Sequence, residues 1–340
     1  MAATLVSKSE RAYIQASLQT TPPFRADGRS LLDFRTVLLE TGVAPLANGS
    51  AKLNVGKMVR EGGGGTEVLA AVKLEVEDVE SGDGVDGGRV ACSVTCSPSA
   101  YPHLSSNALD ELQHDLTVIL QQAIAHPSLH PSNLTIIPGR RAWLLNLDAV
   151  ILTDSGNVVD ALFMAARAAL WDTKVPRTRA VEYQAPAASK IVATKENQDS
   201  MDVDQGTSGF DTRDMGRTAA DFELPDYWDE GEVLQGRERW PVCVTLNLLR
   251  PIHLLDATLA EEASIPLRLH LIFSFPSSAR PTLQSVRVSG PGELDLAYIK
   301  SCIAVGEKYA RELFSALESK LREEDIRRNA KARDRFAALR

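Results

Sequence analysis

Residues 151–170 read ILTDSGNVVDALFMAARAAL, and the rest of the chain falls into place around them. They overlap the end of a strongly apolar run, residues 142–152, with the length and composition of a central strand. A turn at Ser155 and Gly156 follows. Residues 157–171 are then apolar on nearly every side, the mark of a helix buried between layers.

Upstream, residues 37–43 and 51–55 read as strands around the Asn48-Gly49 turn. Residues 68–77 (VLAAVKLEVE) follow a hairpin tip at the glycine run Gly62 to Gly65, so the three strands form an antiparallel meander. Residues 81–88 are a Gly/Asp-rich loop and 89–96 a strand. Over 106–125, Leu109, Leu112, Leu116, Ile119, Leu120 and Ala123 recur at helical spacing. Residues 134–137 are a further strand. Near the start, Ala12, Ile14, Ala16 and Leu18 suggest a short amphipathic helix that Pro22 and Pro23 end.

Downstream, residues 184–238 are rich in Asp, Ser and Gly and hold few large apolar side chains, so disorder is expected there. Strands at 242–249, 267–275 and 284–288 and a long helix at 295–328 complete the pattern. The order is that of an α+β protein with mixed sheets and helices packed on one side. The expected divisions are a helical extension (1–24), a first domain (25–183), an acidic insert (184–238), a second domain (239–328) and a charged tail (329–340).

Composition narrows the classes. No apolar run approaches the roughly 18 residues of a membrane span. Four cysteines in 340 residues are not a disulfide framework. The start, MAATLVSKSE, has no basic segment followed by an apolar one, so no secretory signal is expected. These features point to a soluble intracellular protein. The net charge of −8 is concentrated: from Glu196 to Glu232 there are twelve acids against Arg213 and Arg217, which leaves +2 on the remainder. Overall acidity therefore does not exclude RNA as a partner.

Common catalytic signatures are absent: there is no GxxxxGK[ST] loop, strand–GxGxxG–helix unit or GxSxG elbow. Cys92 and Cys96 share one face of a strand and, with no second pair or nearby His, read as core rather than zinc ligands. His126 and His130 have helical ligand spacing, but Pro127 and Pro131 turn that stretch into a loop. Asp256, Glu261 and Glu262 (LLDATLAEEA) can hold a divalent cation; alternatively they supply a turn cap and a solvated face. Arg140 and Arg141 stand in a Pro-Gly turn before the central strand, where guanidinium groups meet phosphate readily or simply lie in solvent.

RADGRSLLDFR (25–35), NGSAKLNVG (48–56), the 151–170 unit, VPR (175–177) and LLDATLAEEA (254–263), in that order and spacing, resemble the RNase PH family. The likeness covers about residues 25–320 without the insert, and within the family it points to ring subunits of the eukaryotic RNA exosome. It implies a two-layer, duplicated body: a ribosomal protein S5 domain 2-like β/α N-terminal part plus an RNase PH C-terminal part. It also implies assembly with other RNase PH-like subunits into a heterohexameric ring around single-stranded RNA. RNA-binding cap subunits and associated hydrolytic nucleases are the further partners, with no membrane. The implied location is nucleus, nucleolus and cytoplasm.

Catalytic relatives use phosphate to release nucleoside diphosphates from an RNA 3′ end, with arginines on phosphate and carboxylates as acid and metal holder. This chain departs from that pattern. Val158 stands where the phosphate arginine belongs. Residues 101–110 (YPHLSSNALD) contain no Lys or Arg, and Ala260 and Pro266 fall where the carboxylate pair belongs. Asp256 keeps an acid nearby at another offset. The expectation is a non-catalytic structural and RNA-path subunit, without cofactor or metal, that touches RNA through Arg140 and Arg141. Two alternatives remain: an active phosphate-dependent 3′–5′ exoribonuclease using Arg140 or Arg141, and a scaffold recruiting proteins through its acidic insert and last helix.

Overall fold

The computed structural model describes residues 6–56, 64–79, 87–181, 221–225, 231–277 and 280–338. In chain order, α1 (Lys8–Leu18) precedes β1 (Val37–Thr41), β2 (Gly49–Val55), β3 (Thr66–Asp78) and β4 (Arg89–Cys96). Then come α2 (Ser106–Ile124), β5 (Thr135–Ile137), β6 (Arg141–Thr153) and α3 (Val158–Asp172). Four short strands follow: β7 (Lys174–Val175), β8 (Arg179–Val181), β9 (Asp221–Glu223) and β10 (Glu232–Val233). The last part holds β11 (Val242–Leu249), β12 (Ile252–Leu254), α4 (Leu259–Ser264), β13 (Arg268–Ser277), β14 (Arg280–Ser289) and α5 (Leu296–Ala338).

The first sheet has the order β1-β2-β3-β6-β4, with β5 added against β6. β4 runs parallel to β6, so the chain between them must cross a face of the sheet, and α2 makes that crossing. α2 also protects the outer edge of β4. The Cys92, Val94 and Cys96 amides donate to Gln121 Oε1, Thr117 Oγ1 and Gln113 Oε1 at 2.5, 3.0 and 3.0 Å. Edge amides that invite pairing with another chain are thereby satisfied from within. The second sheet is antiparallel, in the order β12-β11-β13-β14.

α3 lies between the sheets, against β2, β3 and β6 on one side and β11 on the other. Thirteen of its fifteen residues are buried, which explains why its sequence has no polar face. Ala161, Ala165, Ala166, Ala168 and Ala169 let both sheets approach closely, and a single apolar core runs from Leu39 to Leu321 through both. α5 covers the second sheet with Cys302, Tyr309, Ala310, Phe314, Leu317 and Leu321, which recur at helical spacing on one face.

Three features differ from the sequence expectation. Residues 221–225 and 231–238, assigned to the disordered insert, are structured: β9 pairs with β8 and β10 with β7. The remainder of that insert, 184–220 and 226–230, lies outside the described residues, as do Gly62 and Gly63 of the hairpin tip before β3 and residues 81–86 of the Gly/Asp-rich loop. α5 continues past residue 328 to Ala338, into the expected tail; within 295–328 its outer face carries i,i+4 pairs such as Glu307–Arg311 and Glu318–Arg322. β12 and α4 are too short for periodicity to reveal. Among the described residues, no helix is long and apolar enough to cross a membrane.

Candidate functional site

Three of the motifs that carry the family resemblance, residues 25–35, the 151–170 unit and residues 254–263, meet at the amino end of α3. Arg25 is buried and grips Glu261 with two bonds, Nε to Oε1 at 2.9 Å and Nη2 to Oε2 at 2.7 Å. Its remaining donors reach the carbonyls of Ser30, Leu255 and Asp256. Arg29 Nη1 donates to Asp256 Oδ2 at 3.0 Å. Arg35 donates to both Asp256 oxygens, Nε to Oδ2 at 2.9 Å and Nη2 to Oδ1 at 2.8 Å. Its guanidinium also reaches the Ser155 and Gly156 carbonyls at 3.0 and 2.9 Å.

Asn157 completes the cluster. Its side-chain Nδ2 donates to Asp256 Oδ1 at 3.0 Å, and its amide donates to Glu262 Oε1 at 2.7 Å. Glu262 in turn pairs with Arg268 at 3.1 Å. Asn157 (φ 59°) and Asp256 (φ 44°) occupy left-handed backbone positions, which Asn and Asp tolerate better than most residues. Four guanidiniums (Arg25, Arg29, Arg35, Arg268) thus face four carboxylates (Asp27, Asp256, Glu261, Glu262). The cluster is close to neutral. A phosphate entering it would have to strip arginines from buried carboxylates, which is costly.

The sequence alternatives for the acids resolve here. Glu261 and Glu262 are 5% and 9% exposed, so they are not a solvated face. The α4 cap is Thr258, in a capping box with Glu261, and not Asp256. Among the described residues, no group of three or more His, Cys, Asp or Glu side chains is arranged to hold a metal. Cys92 and Cys96 lie in the core, where burial pushes both thiols up to about 12. His126 bonds the Ser128 amide and hydroxyl, and His130 Nε2 meets the Gly88 carbonyl at 2.8 Å.

Arg140 and Arg141 are not part of this cluster. They stand at the opposite end of β6, whose thirteen residues span about 40 Å. The Arg140 amide closes the turn onto Ile137, and its carbonyl accepts from Val79. Arg141 pairs with Asp221 at 2.7 Å and with Asp78 at 3.5 Å.

Sequence reasoning missed the arginines as a clamp, and it missed two charges inside the apolar α3. Asp160 accepts from the Thr245 amide and hydroxyl at 3.1 and 2.6 Å, and Thr245 in turn meets His270. Arg167 lies 4.3 Å over the Phe314 ring and donates to the Trp240 and Glu238 carbonyls. A charge within a helix that is otherwise apolar all round was the available signal.

Burial pushes the Glu262 carboxyl up to about 7, against the pull of Arg268, and the Asp160 carboxyl up to about 6, against the Thr245 hydrogen bonds. Between pH 4 and 7 the folded chain therefore holds more protons on these two groups than the unfolded chain, so their contribution to stability falls as pH rises through that window, and His270, pushed down to about 4 by burial, offsets part of that fall. A lower urea midpoint at pH 7.5 than at pH 5 is expected, with the difference reduced in Glu262→Gln. A midpoint rising over the same range would contradict it.

Residues 33–176, the first sheet with α2 and α3, match the RNase PH family described as 3′ exoribonuclease family, domain 1. This segment is similar to an RNase PH domain, and the chain has an RNase PH-like fold. Over nearly its whole length the chain is similar to the putative exosome complex exonuclease RRP42 of Dictyostelium discoideum, 24% identical over 366 positions. That similarity covers 94% of this chain and 98% of the relative. The exosome complex component Rrp42 of Sulfurisphaera tokodaii is 34% identical over 154 residues, 45% of this chain and 53% of that protein. In three dimensions the chain resembles one from an Archaeoglobus fulgidus exosome with RNA bound to the active site, with a TM-score of 0.63 at 23% identity. The two chains are covered to 91% and 97% respectively.

Proposed function

We propose that this chain is a structural and RNA-path subunit of an RNA exosome core ring, without phosphorolytic activity of its own. The RNase PH domain and relatives named as exosome components support the ring assignment. One observation carries the non-catalytic half: the guanidiniums nearest the amino end of α3 are committed to Asp256, Glu261 and backbone carbonyls, while α3 itself opens on Val158. Phosphorolysis needs guanidinium donors aimed at a phosphate, and this cluster aims them at the chain's own carboxylates.

In this reading the partners are other RNase PH-like subunits in a heterohexamer, RNA-binding cap subunits and associated hydrolytic nucleases that do the cutting. The work served is 3′–5′ RNA processing and decay in nucleus, nucleolus and cytoplasm. Single-stranded RNA passes the Arg140–Arg141 end of β6. The test is a phosphorolysis assay with labelled RNA and inorganic phosphate on the isolated chain and on the ring containing it. The expected result is no phosphate-dependent nucleoside diphosphate from the isolated chain, and none lost from the ring when Asp256 is changed to Asn. Diphosphate release by the isolated chain would favour the exoribonuclease alternative.

A further inference from the structure

Among the described residues, the acidic stretch that dominates the net charge meets the folded body at β9 and β10. β9 pairs antiparallel with β8, with Arg179 opposite Glu223 and Val181 opposite Asp221. Asp221 Oδ1 accepts from Arg141 Nη1 at 2.7 Å. Phe222 lies 5.8 Å from the same guanidinium and meets Trp143 edge-on at 6.3 Å. Glu232, the last acid of the stretch, accepts from Arg177 Nε at 3.1 Å. Arg177 lines a cavity of about 330 Å³ together with Thr135 of β5 and Glu232. Arg141 and Arg177 therefore belong to one edge of the fold, beside β5 and the start of β6, and hold Asp221 and Glu232 respectively, while Arg179 stands opposite Glu223 in the β8–β9 register.

These pairs differ in kind from the buried clamp. The side chains of Asp221 and Glu232 are 66% and 52% exposed. Ion pairs in water contribute little and are screened by salt, so the carboxylates occupy the guanidiniums without locking them. A phosphate diester offers the same anionic oxygens, and a strand offers several at once. A polyanion that engages two or three arginines together displaces carboxylates that each hold one weakly.

We infer that Asp221, Glu223 and Glu232 act as built-in competitors for RNA phosphate at the Arg141–Arg177–Arg179 edge, so that single-stranded RNA must displace the chain's own carboxylates to bind there. The inference rests on the reading that this end of β6 meets RNA. Its consequence is a threshold: short oligonucleotides and mononucleotides are rejected, and longer strands are accepted in a salt-dependent way.

The test is fluorescence anisotropy of labelled oligouridylate binding to the full chain at 50 and 150 mM salt. Four proteins are compared: wild type, Asp221→Asn/Glu223→Gln/Glu232→Gln, Arg141→Glu/Arg177→Glu, and the combination. The neutralised variant is expected to bind about fivefold tighter at low salt. Its salt slope should steepen by about 1.4, or about 0.7 for each of two phosphates newly contacted. The charge reversals should remove that gain. An unchanged affinity in the neutralised variant, with weaker binding in Arg141→Glu/Arg177→Glu, would overturn the inference while leaving RNA at this edge. No change in either would sink the RNA reading of the edge and the inference with it. An equal gain for polyglutamate would assign the edge to an acidic protein segment instead, and would equally overturn it. Asn and Gln keep the size of the residues they replace, and an unchanged thermal midpoint, with the single variant Asp221→Asn as a second check, makes a silent result count against the inference.

Discussion

Replacing Asp256 with alanine is expected to destabilise the folded chain by about 3–5 kcal/mol, the usual cost of removing one partner from a buried ionic cluster. Its two oxygens accept from Arg29, from the Arg35 side chain and amide, and from Asn157. Alanine would remove the countercharge of Arg29 and Arg35 and leave the Arg35 amide and Nε and the Asn157 Nδ2 without the acceptor they use. A domain is commonly stable by only about 5–15 kcal/mol, so a marked fall in the urea midpoint at an unchanged slope is the expected readout. A loss below about 1 kcal/mol would show that the clamp does not hold the two halves together. Asp256→Asn should fall in between, because it keeps one acceptor oxygen and turns an amide toward the donors.

The pH dependence of this group runs opposite to that of Glu262. Burial alone would raise the Asp256 carboxyl, but the Arg35 hydrogen bond and charge, with Arg29, outweigh it and hold it below its usual 3.8. Its contribution is therefore fully present above pH 4 and is lost as pH falls through the lower folded value. With Glu262 and Asp160 working the other way, maximal stability is expected on the mildly acidic side of neutrality.

Gly156→Ala is expected to cost about 3–5 kcal/mol, combining left-handed strain with a clash. Gly156 has φ +97°, and a Cβ there would lie 2.7 Å from the Leu259 nitrogen and closer still to the Ala257 carbonyl. None of these contacts is a side-chain end that can swing aside. Its carbonyl also accepts from Arg35 and from Thr66 Oγ1, the latter at 2.6 Å. Gly28→Ala is the comparison that separates the two effects. Its φ of +76° carries similar strain, but a Cβ there meets nothing within 4 Å, so a loss of only about 1–2 kcal/mol is expected. Equal midpoints for the two variants would show that the close approach of the 256–259 segment to α3 is not what requires glycine.

Both predictions concern one junction, where residues 25–35, the turn before α3 and the β12–α4 segment meet. The same geometry supports the functional proposal, since groups consumed in holding two sheets together are withdrawn from phosphate chemistry. Basic groups at the far end of β6 sit in weaker, wetter pairs, the ones that the proposal has RNA displace.

Much of the fold was legible along the chain. α3 declared itself by being apolar on all sides, α2 by its leucine spacing, and β6 by an apolar run of strand length. Each signal is local, because burial of an element's face is recorded in neighbouring residues at a period of two or 3.6. The charge partners were not legible. Arg25 and Glu261 are 236 positions apart, and the RADGR element alone does not say whether its arginines meet a ligand or the chain itself. The acidic stretch likewise looked uniformly unstructured by composition, yet residues 221–223 and 232–233 pair with strands forty or more positions upstream. Periodicity is set by the nearest turn of backbone, whereas the partner of a charge is chosen when distant segments close on one another, so the sequence alone determined the layers and only the tertiary structure decided which carboxylate each arginine holds.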